Sequence, residues 1–229
     1  TYTVSLSNAQ LSGKDIQNVA TATSDNTDQV EDTKTITVSQ PELSIVKKSD
    51  KKVYSTGETA KYTLEVSQNV ENAIAKNVVI KDSFNNENIS KPSSIKITDS
   101  KGNELDNYEV KVNDTGFVIY TNTNLKYGEK FIVTYNVAMA SGKLSGKEIV
   151  NTATANSDNT PETSTDNTVT VTTPKLAIDK TVNKKAFSSN ETAKYTLKIT
   201  QTEENAIAKN VVITDEFDTD AVKATDFKI

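Results

Sequence analysis

Apolar and polar residues alternate through most of the chain. In Tyr62-Thr-Leu64-Glu-Val66 the apolar side chains sit two apart with polar ones between. Phe131-Ile-Val133-Thr-Tyr135-Asn-Val137, Thr168-Val169-Thr170-Val171 and Tyr2-Thr3-Val4-Ser5-Leu6 read the same way. A period of two means strands with one buried face. Turn signals separate them: Asp50-Lys-Lys, Ser55-Thr-Gly57, Ser100-Lys-Gly102-Asn, Asn113-Asp-Thr-Gly116 and Tyr127-Gly128. Residues 41–173 hold roughly nine such strands at short spacing, which predicts an antiparallel sandwich.

The alternation repeats at long range. Pro41 to Phe84 recurs as Pro174 to Phe217, 133 residues later, with 27 of 44 aligned positions identical. Leu11-Ser-Gly-Lys14 followed by Asn18-Val-Ala-Thr-Ala-Thr23 recurs at Leu144-Ser-Gly-Lys147 and Asn151-Thr-Ala-Thr-Ala155, again 133 apart. The predicted organisation is the C-terminal part of one repeat (1–40), a complete repeat (41–173) and the N-terminal part of a third (174–229). The chain reads as a window cut from a longer array. Each 133-residue repeat is long enough for its own core. The junctions around Pro41 and Pro174 carry no Gly/Ser linker, and proline stiffens them. A semi-rigid rod is the expectation.

Following the buried faces gives one unexpected result. Leu43, Ile45 and Lys47 share a face, as do Leu176, Ile178 and Lys180. On the third expected strand of the repeat, Val78, Ile80, Asp82 and Phe84 share another face, matched by Val211, Ile213, Asp215 and Phe217. Ile149, Asn151, Ala153 and Ala155 share a third, matched by Ile16, Asn18, Ala20 and Ala22. Each repeat thus puts one Lys, one Asp and one Asn on its core side. Burying a lone ammonium or carboxylate is expensive, so the three must meet. A desolvated lysine has a lowered pKa and becomes an amine nucleophile. A buried Asp82 would hold a proton and polarise the Asn151 carbonyl. Lys47 would attack it, ammonia would leave, and an isopeptide bond would remain. This is a single self-modifying event rather than enzyme turnover. Asn18, Lys180 and Asp215 occupy the equivalent positions in the partial repeats, each set incomplete, so one bond per chain is expected.

Composition narrows the alternatives. The net charge is −5, with signs mixed and every basic residue a Lys, which argues against nucleic acid. With no Cys and no His, thiol nucleophiles, imidazole bases and the usual zinc sites are ruled out. No cofactor is implied, and no apolar run has the length of a membrane span. The acidic stretches 24–32 and 157–166 could supply oxygen ligands for calcium, but their acidic spacing differs between copies, so solvated hairpin loops are the preferred reading. Asn88-Ile-Ser90, Asn113-Asp-Thr115 and Asn190-Glu-Thr192 match the glycosylation acceptor pattern.

Lys47, Gly57-Glu-Thr-Ala-Lys-Tyr-Thr-Leu64, Asn77-Val-Val-Ile-Lys-Asp-Ser-Phe84 and Asn151-Thr-Ala-Thr-Ala155 together resemble the DUF11-type surface repeats. They are also similar to the CnaA-like, fimbrial D2-type isopeptide domains of Gram-positive pilins and adhesins. The resemblance implies an Ig-like sandwich, a cell-surface or cell-wall location and a stalk or fibre role. Its partners would be neighbouring repeats of the same chain and other copies in a fibre. In isopeptide-forming members a first-strand Lys joins a late-strand Asn beside an acidic residue, and Lys47, Asn151 and Asp82 match those places. The alternative is an adhesin domain that itself binds host matrix or glycan. That would need an exposed aromatic or apolar patch, and the assignable outward positions are mostly Thr, Lys, Glu, Ser and Asn.

Overall fold

A computed structural model describes residues 1–7, 11–86, 88–140, 142–218 and 222–229. The chain divides into two compact units, Thr1–Thr173 and Pro174–Ile229.

In the first unit, β1 (Asp15–Ser24) and β2 (Thr27–Thr37) form a hairpin. The strands that follow are β3 (Leu43–Ser49), β4 (Val53–Ser55), β5 (Thr59–Gln68), β6 (Ile74–Ala75), β7 (Val79–Phe84) and β8 (Ser93–Asp99). Then come β9 (Glu109–Val112), β10 (Gly116–Tyr120), β11 (Leu125–Lys126), β12 (Lys130–Ala138), β13 (Lys147–Ser157) and β14 (Thr160–Thr172). One sheet runs β3-β5-β12-β8 and the other β4-β14-β13-β7-β10-β9. Their inward faces meet in one apolar core that includes Leu43, Tyr62, Leu64, Val133 and Tyr135 from the first sheet and Ile80, Ile119, Ile149, Ala153 and Val169 from the second. The architecture is an all-β, Ig-like sandwich, antiparallel except where β4 runs parallel to β14.

The burial pattern of β5, exposed and buried in turn from Thr59 to Gln68, shows why the alternation specifies this fold. A slip of one residue would turn Tyr62, Leu64 and Val66 to water. Asparagines close the turns locally. Asn72 and Asn77 take φ of 59° and 52°, a left-handed conformation that Asn tolerates better than most residues.

The second unit contains β15 (Leu176–Val182) paired with β16 (Tyr195–Gln201). Its register, Leu176 opposite Gln201, repeats that of Leu43 opposite Gln68. Its Asn205 and Asn210 repeat the left-handed turns, with φ of 58° and 52°. The β1–β2 hairpin likewise repeats β13–β14, down to the bulge between Ala22 and Ser24 that matches the one between Ala155 and Ser157.

Three expectations change. Residues 41–173 hold twelve strands among the described residues, because β4, β6 and β11 are only two or three residues long and too short to display a period. Asp82 therefore lies on the fifth strand of this stretch, not the third. Residues 1–7 and 211–217 alternate but form no strand. Alternation supplies a face, whereas a strand also needs a ladder partner; the counterpart of Tyr2, Tyr135, has β5 on one side and β8 on the other.

Gly116 pairs with Ser83 where β10 meets the Asp82 strand. A Cβ there would lie 2.0 Å from the Asp82 carbonyl oxygen. Gly116→Ala should therefore push β10 off β7 and cost about 1–3 kcal/mol, read as a lowered midpoint in equilibrium denaturation. A wild-type midpoint would mean that the two strands do not approach this closely.

Candidate functional site

Lys47 stands on β3, opposite Leu64 of β5, and points into the core. It leaves the four-stranded sheet and reaches the other one, where its ammonium pairs with Asp82 Oδ2. Neither side chain touches solvent: both have 0% exposure. On β7, Asp82 lies opposite Ala153 of β13, and Asn151 lies opposite Phe84. Asp82 and Asn151 are therefore diagonal neighbours on one face, a relation that lets side chains meet. Ala153 contributes only a methyl group at the centre and leaves room for the lysine head.

A fourth polar residue completes the cluster. Tyr135 of β12 donates its hydroxyl hydrogen to Asp82 Oδ2 at 2.8 Å. The Tyr135 hydroxyl oxygen in turn accepts from Asn151 Nδ2 at 2.7 Å. Because the single tyrosine proton is committed to Asp82, the Asn151 group facing Tyr135 must be the donor, which fixes the amide orientation. The chain of contacts is continuous: Lys47 Nζ, Asp82 Oδ2, Tyr135 Oη, Asn151 Nδ2.

Aromatic rings enclose the cluster. Lys47 Nζ lies 5.6 Å from the Tyr62 ring centroid and 5.8 Å from those of Phe84 and Tyr135. Tyr62 stacks on Tyr135 at 5.3 Å, and Phe117 meets Tyr135 edge-on at 4.9 Å. Such faces attract a cation but supply no conventional acceptor. Hydrogen bonding consequently falls short: Asp82 Oδ1, Asn151 Oδ1 and Tyr62 Oη are buried with no partner.

Burial moves the two ionisable groups toward each other. Desolvation lowers Lys47 to about 8 against the pull of Asp82. Desolvation raises Asp82, opposed by Lys47, Tyr135 and Asn151. Burial, and then the charge of Asp82, hold the Tyr135 hydroxyl firmly protonated. Both shifts favour moving the proton from the amine to the carboxylate. A proton on Asp82 Oδ1 could also serve the unpartnered Asn151 Oδ1.

Of the six positions singled out in the sequence, Lys47, Asp82 and Asn151 gather at this one point. In the second unit, Lys180 pairs with Asp215 and lies 5.0 Å from the Tyr195 ring and 5.9 Å from the Phe217 ring. In residues 1–40, Asn18 Nδ2 donates to the Tyr2 hydroxyl at 2.8 Å. Tyr135 was missed by the sequence reasoning, although Tyr2 precedes Asn18 by the same interval that separates Tyr135 from Asn151. The acidic turn after β13 is tied down by Asn77 Nδ2 donating to Asp158 Oδ2 at 2.6 Å and Lys76 N donating to Asn159 Oδ1 at 3.0 Å.

No protein-family model and no curated protein sequence matches the chain. Among solved structures it is similar to BcpA, the major pilin subunit of Bacillus cereus (15% identity, TM-score 0.45, covering 72% of this chain and 49% of that one). It is also similar to the pilus backbone RrgB from Streptococcus pneumoniae (17%, 0.43, covering 52% and 32%). A third likeness is to the C-terminal domain of the Streptococcus agalactiae AgI/II polypeptide BspA (13%, 0.48, covering 60% and 52%). The chain thus spans about half the length or less of each. The resemblance to DUF11-type and CnaA-like domains rests on the residues quoted for it.

The Lys47 shift has a measurable consequence. Its folded value, about 8, lies below its ordinary 10.5. Between these values the unfolded chain holds a proton that the folded chain does not, so stability rises with pH across that window. In Asn151→Ala, where Lys47 has no amide to join, stability should increase by about 2 kcal/mol between about pH 8 and about pH 9.5. Adding Lys47→Met should remove the slope. Chemical denaturation at the two pH values measures it, and a flat profile in Asn151→Ala would mean that Lys47 is not desolvated.

Proposed function

We propose that residues 41–173 are one structural repeat of a bacterial cell-surface stalk or fibre, locked by an intramolecular isopeptide bond between Lys47 and Asn151. The observation that carries this reading is the buried cluster itself. It pairs a desolvated amine with a carboxyl whose Oδ1 lacks a partner, beside an amide whose Oδ1 also lacks one. Proton transfer from Lys47 to Asp82 makes a neutral nucleophile. Protonated Asp82 then donates to Asn151 Oδ1 and draws electron density from Asn151 Cγ. The Lys47 Nζ lone pair attacks Cγ, the Cγ–Nδ2 bond breaks, and ammonia leaves. Asp82 is the proton-holding group. The desolvated charge pair is lost, and a neutral amide replaces it.

The bond would close a loop of 104 residues from β3 to β13. By the loop-entropy relation for cross-links, that stabilises the fold by roughly 4–5 kcal/mol. Force entering at β3 would pass to β13 and bypass residues 48–150, which suits a load-bearing shaft. The partners in this reading are other repeats and other copies, outside the cell. Direct ligand binding has weaker support. The exposed large hydrophobic residues described between 43 and 172 are Val46, Ile74, Tyr120 and Tyr127, on four separate segments.

The intact mass of the folded chain should be lower than the sequence mass by one ammonia, and by no more than one. Lys47→Ala and Asp82→Ala should each restore the full mass. An unmodified wild-type mass in a folded sample would end the isopeptide reading. Separately, residues 41–173 expressed alone should give a cooperative β-rich fold; a disordered product would refute the repeat boundaries.

A further inference from the structure

The reaction above needs a proton at the leaving nitrogen, because an amide nitrogen departs as ammonia and not as its anion. We propose that Tyr135 delivers that proton, passing its hydroxyl hydrogen to Asn151 Nδ2 and being refilled from Asp82. This rests on the isopeptide reading.

The geometry supplies the route. Tyr135 Oη is 2.7 Å from Asn151 Nδ2 on one side and 2.8 Å from Asp82 Oδ2 on the other. Lys47 Nζ contacts that same Asp82 oxygen. After attack, the lysine nitrogen is positively charged and carries one hydrogen too many. Asp82 Oδ1 has by then given its proton to the oxyanion at Asn151 Oδ1, so the surplus lysine proton goes to Asp82 Oδ2. Asp82 passes a proton to Tyr135 Oη as Tyr135 gives its own to Nδ2. The Cγ–Nδ2 bond breaks, its electron pair leaves with nitrogen, and ammonia forms. Of the three hydrogens of the Lys47 ammonium, one stays in the new amide, one leaves in ammonia and one remains on Asp82, to which the hydroxyl at Asn151 Oδ1 returns its proton as the carbonyl re-forms. Tyr135 ends as it began, Asp82 ends protonated, and nothing is oxidised or reduced.

Packing explains the ring at 135 but not its oxygen. A phenylalanine could fill the same place against Tyr62 and Phe117 but would leave Asp82 Oδ2 and Asn151 Nδ2 without the hydroxyl between them. The hydroxyl occurs again at the equivalent position, where Tyr2 accepts from Asn18 Nδ2 at 2.8 Å. The tyrosine–asparagine half of the relay thus forms in residues 1–40, and the lysine–aspartate half forms in the second unit between Lys180 and Asp215. Only residues 41–173 hold both halves among the described residues. Tyr135 is held well above the ordinary tyrosine range by burial and Asp82, so it keeps its proton until the leaving nitrogen takes it.

The test follows ammonia loss by intact mass after cell-free synthesis of the full chain. Tyr135→Phe should still fold and should lose ammonia about a hundredfold or more slowly than wild type. In a Lys47→Ala background, where no bond forms, the fall in melting temperature on Tyr135→Phe measures the structural part of the hydroxyl's role, and a slow loss of ammonia from a Tyr135→Phe chain that is fully folded at the assay temperature separates the chemical role from it. Difluorotyrosine at 135 keeps the shape and makes the hydroxyl more acidic, so it should shift the pH dependence of the rate to lower pH. Wild-type speed in Tyr135→Phe, or an unshifted profile with difluorotyrosine, would overturn the Tyr135 role while leaving the isopeptide reading intact. A wild-type chain that never loses ammonia overturns both.

Discussion

A lysine and an aspartate held away from water are the constraint around which this sandwich is arranged. Desolvating each ion costs several kcal/mol, and their attraction offsets this only when the remaining hydrogen-bonding capacity is met. Here it is not met. Aromatic rings surround the lysine, while Asp82 Oδ1 and Asn151 Oδ1 have no donor. The spare lysine N–H groups face rings while the spare oxygens lie elsewhere, and desolvation of both charges favours moving the proton from nitrogen to oxygen. A packed apolar cluster would be a simpler solution for stability alone. Under the isopeptide proposal, the arrangement would be a reactive state that burial holds above its product.

Burial, more than local contact, separates the complete cluster from its partial copies. Lys180 meets Asp215 as Lys47 meets Asp82, and the flanking rings are equivalent. Yet the Lys180 and Asp215 side chains are 40% and 30% exposed, where Lys47 and Asp82 are fully buried. Pairing thus recurs wherever the Lys and Asp positions recur, whereas full burial accompanies enclosure between two sheets. The same division holds for Asn18, which finds Tyr2 but remains exposed.

This division also explains what could be read from the sequence. Alternation fixed which residues face inward, because a half-buried strand allows only two faces. Lys47, Asp82 and Asn151 were visible because charge and amide on an apolar face break the pattern. Tyr135 was invisible for the opposite reason: tyrosine on a core face breaks nothing, and only its hydroxyl geometry reveals a role. The repeat did carry a signal, since Tyr2 and Asn18 keep the spacing of Tyr135 and Asn151. The short strands β4, β6 and β11 were beyond reach because two or three residues display no period. Residues 1–7 and 211–217 show the converse, a period with no ladder to join.

The placement of the cluster between the sheets gives the proposed bond its mechanical sense. Hydrogen-bond ladders run within each sheet, from β3 to β8 on one side and from β4 to β9 on the other. Across the core, outside the Lys47–Asp82–Tyr135–Asn151 cluster, the core residues of the two sheets meet through apolar packing, which is non-directional. A sandwich is therefore weakest where one sheet can slip over the other. Lys47 belongs to the first sheet and Asn151 to the second. A covalent link between them would reinforce the one direction that backbone hydrogen bonding leaves unsupported. Placed on β3, the first strand of the repeat, it would resist slippage before any other ladder in residues 41–173 was strained.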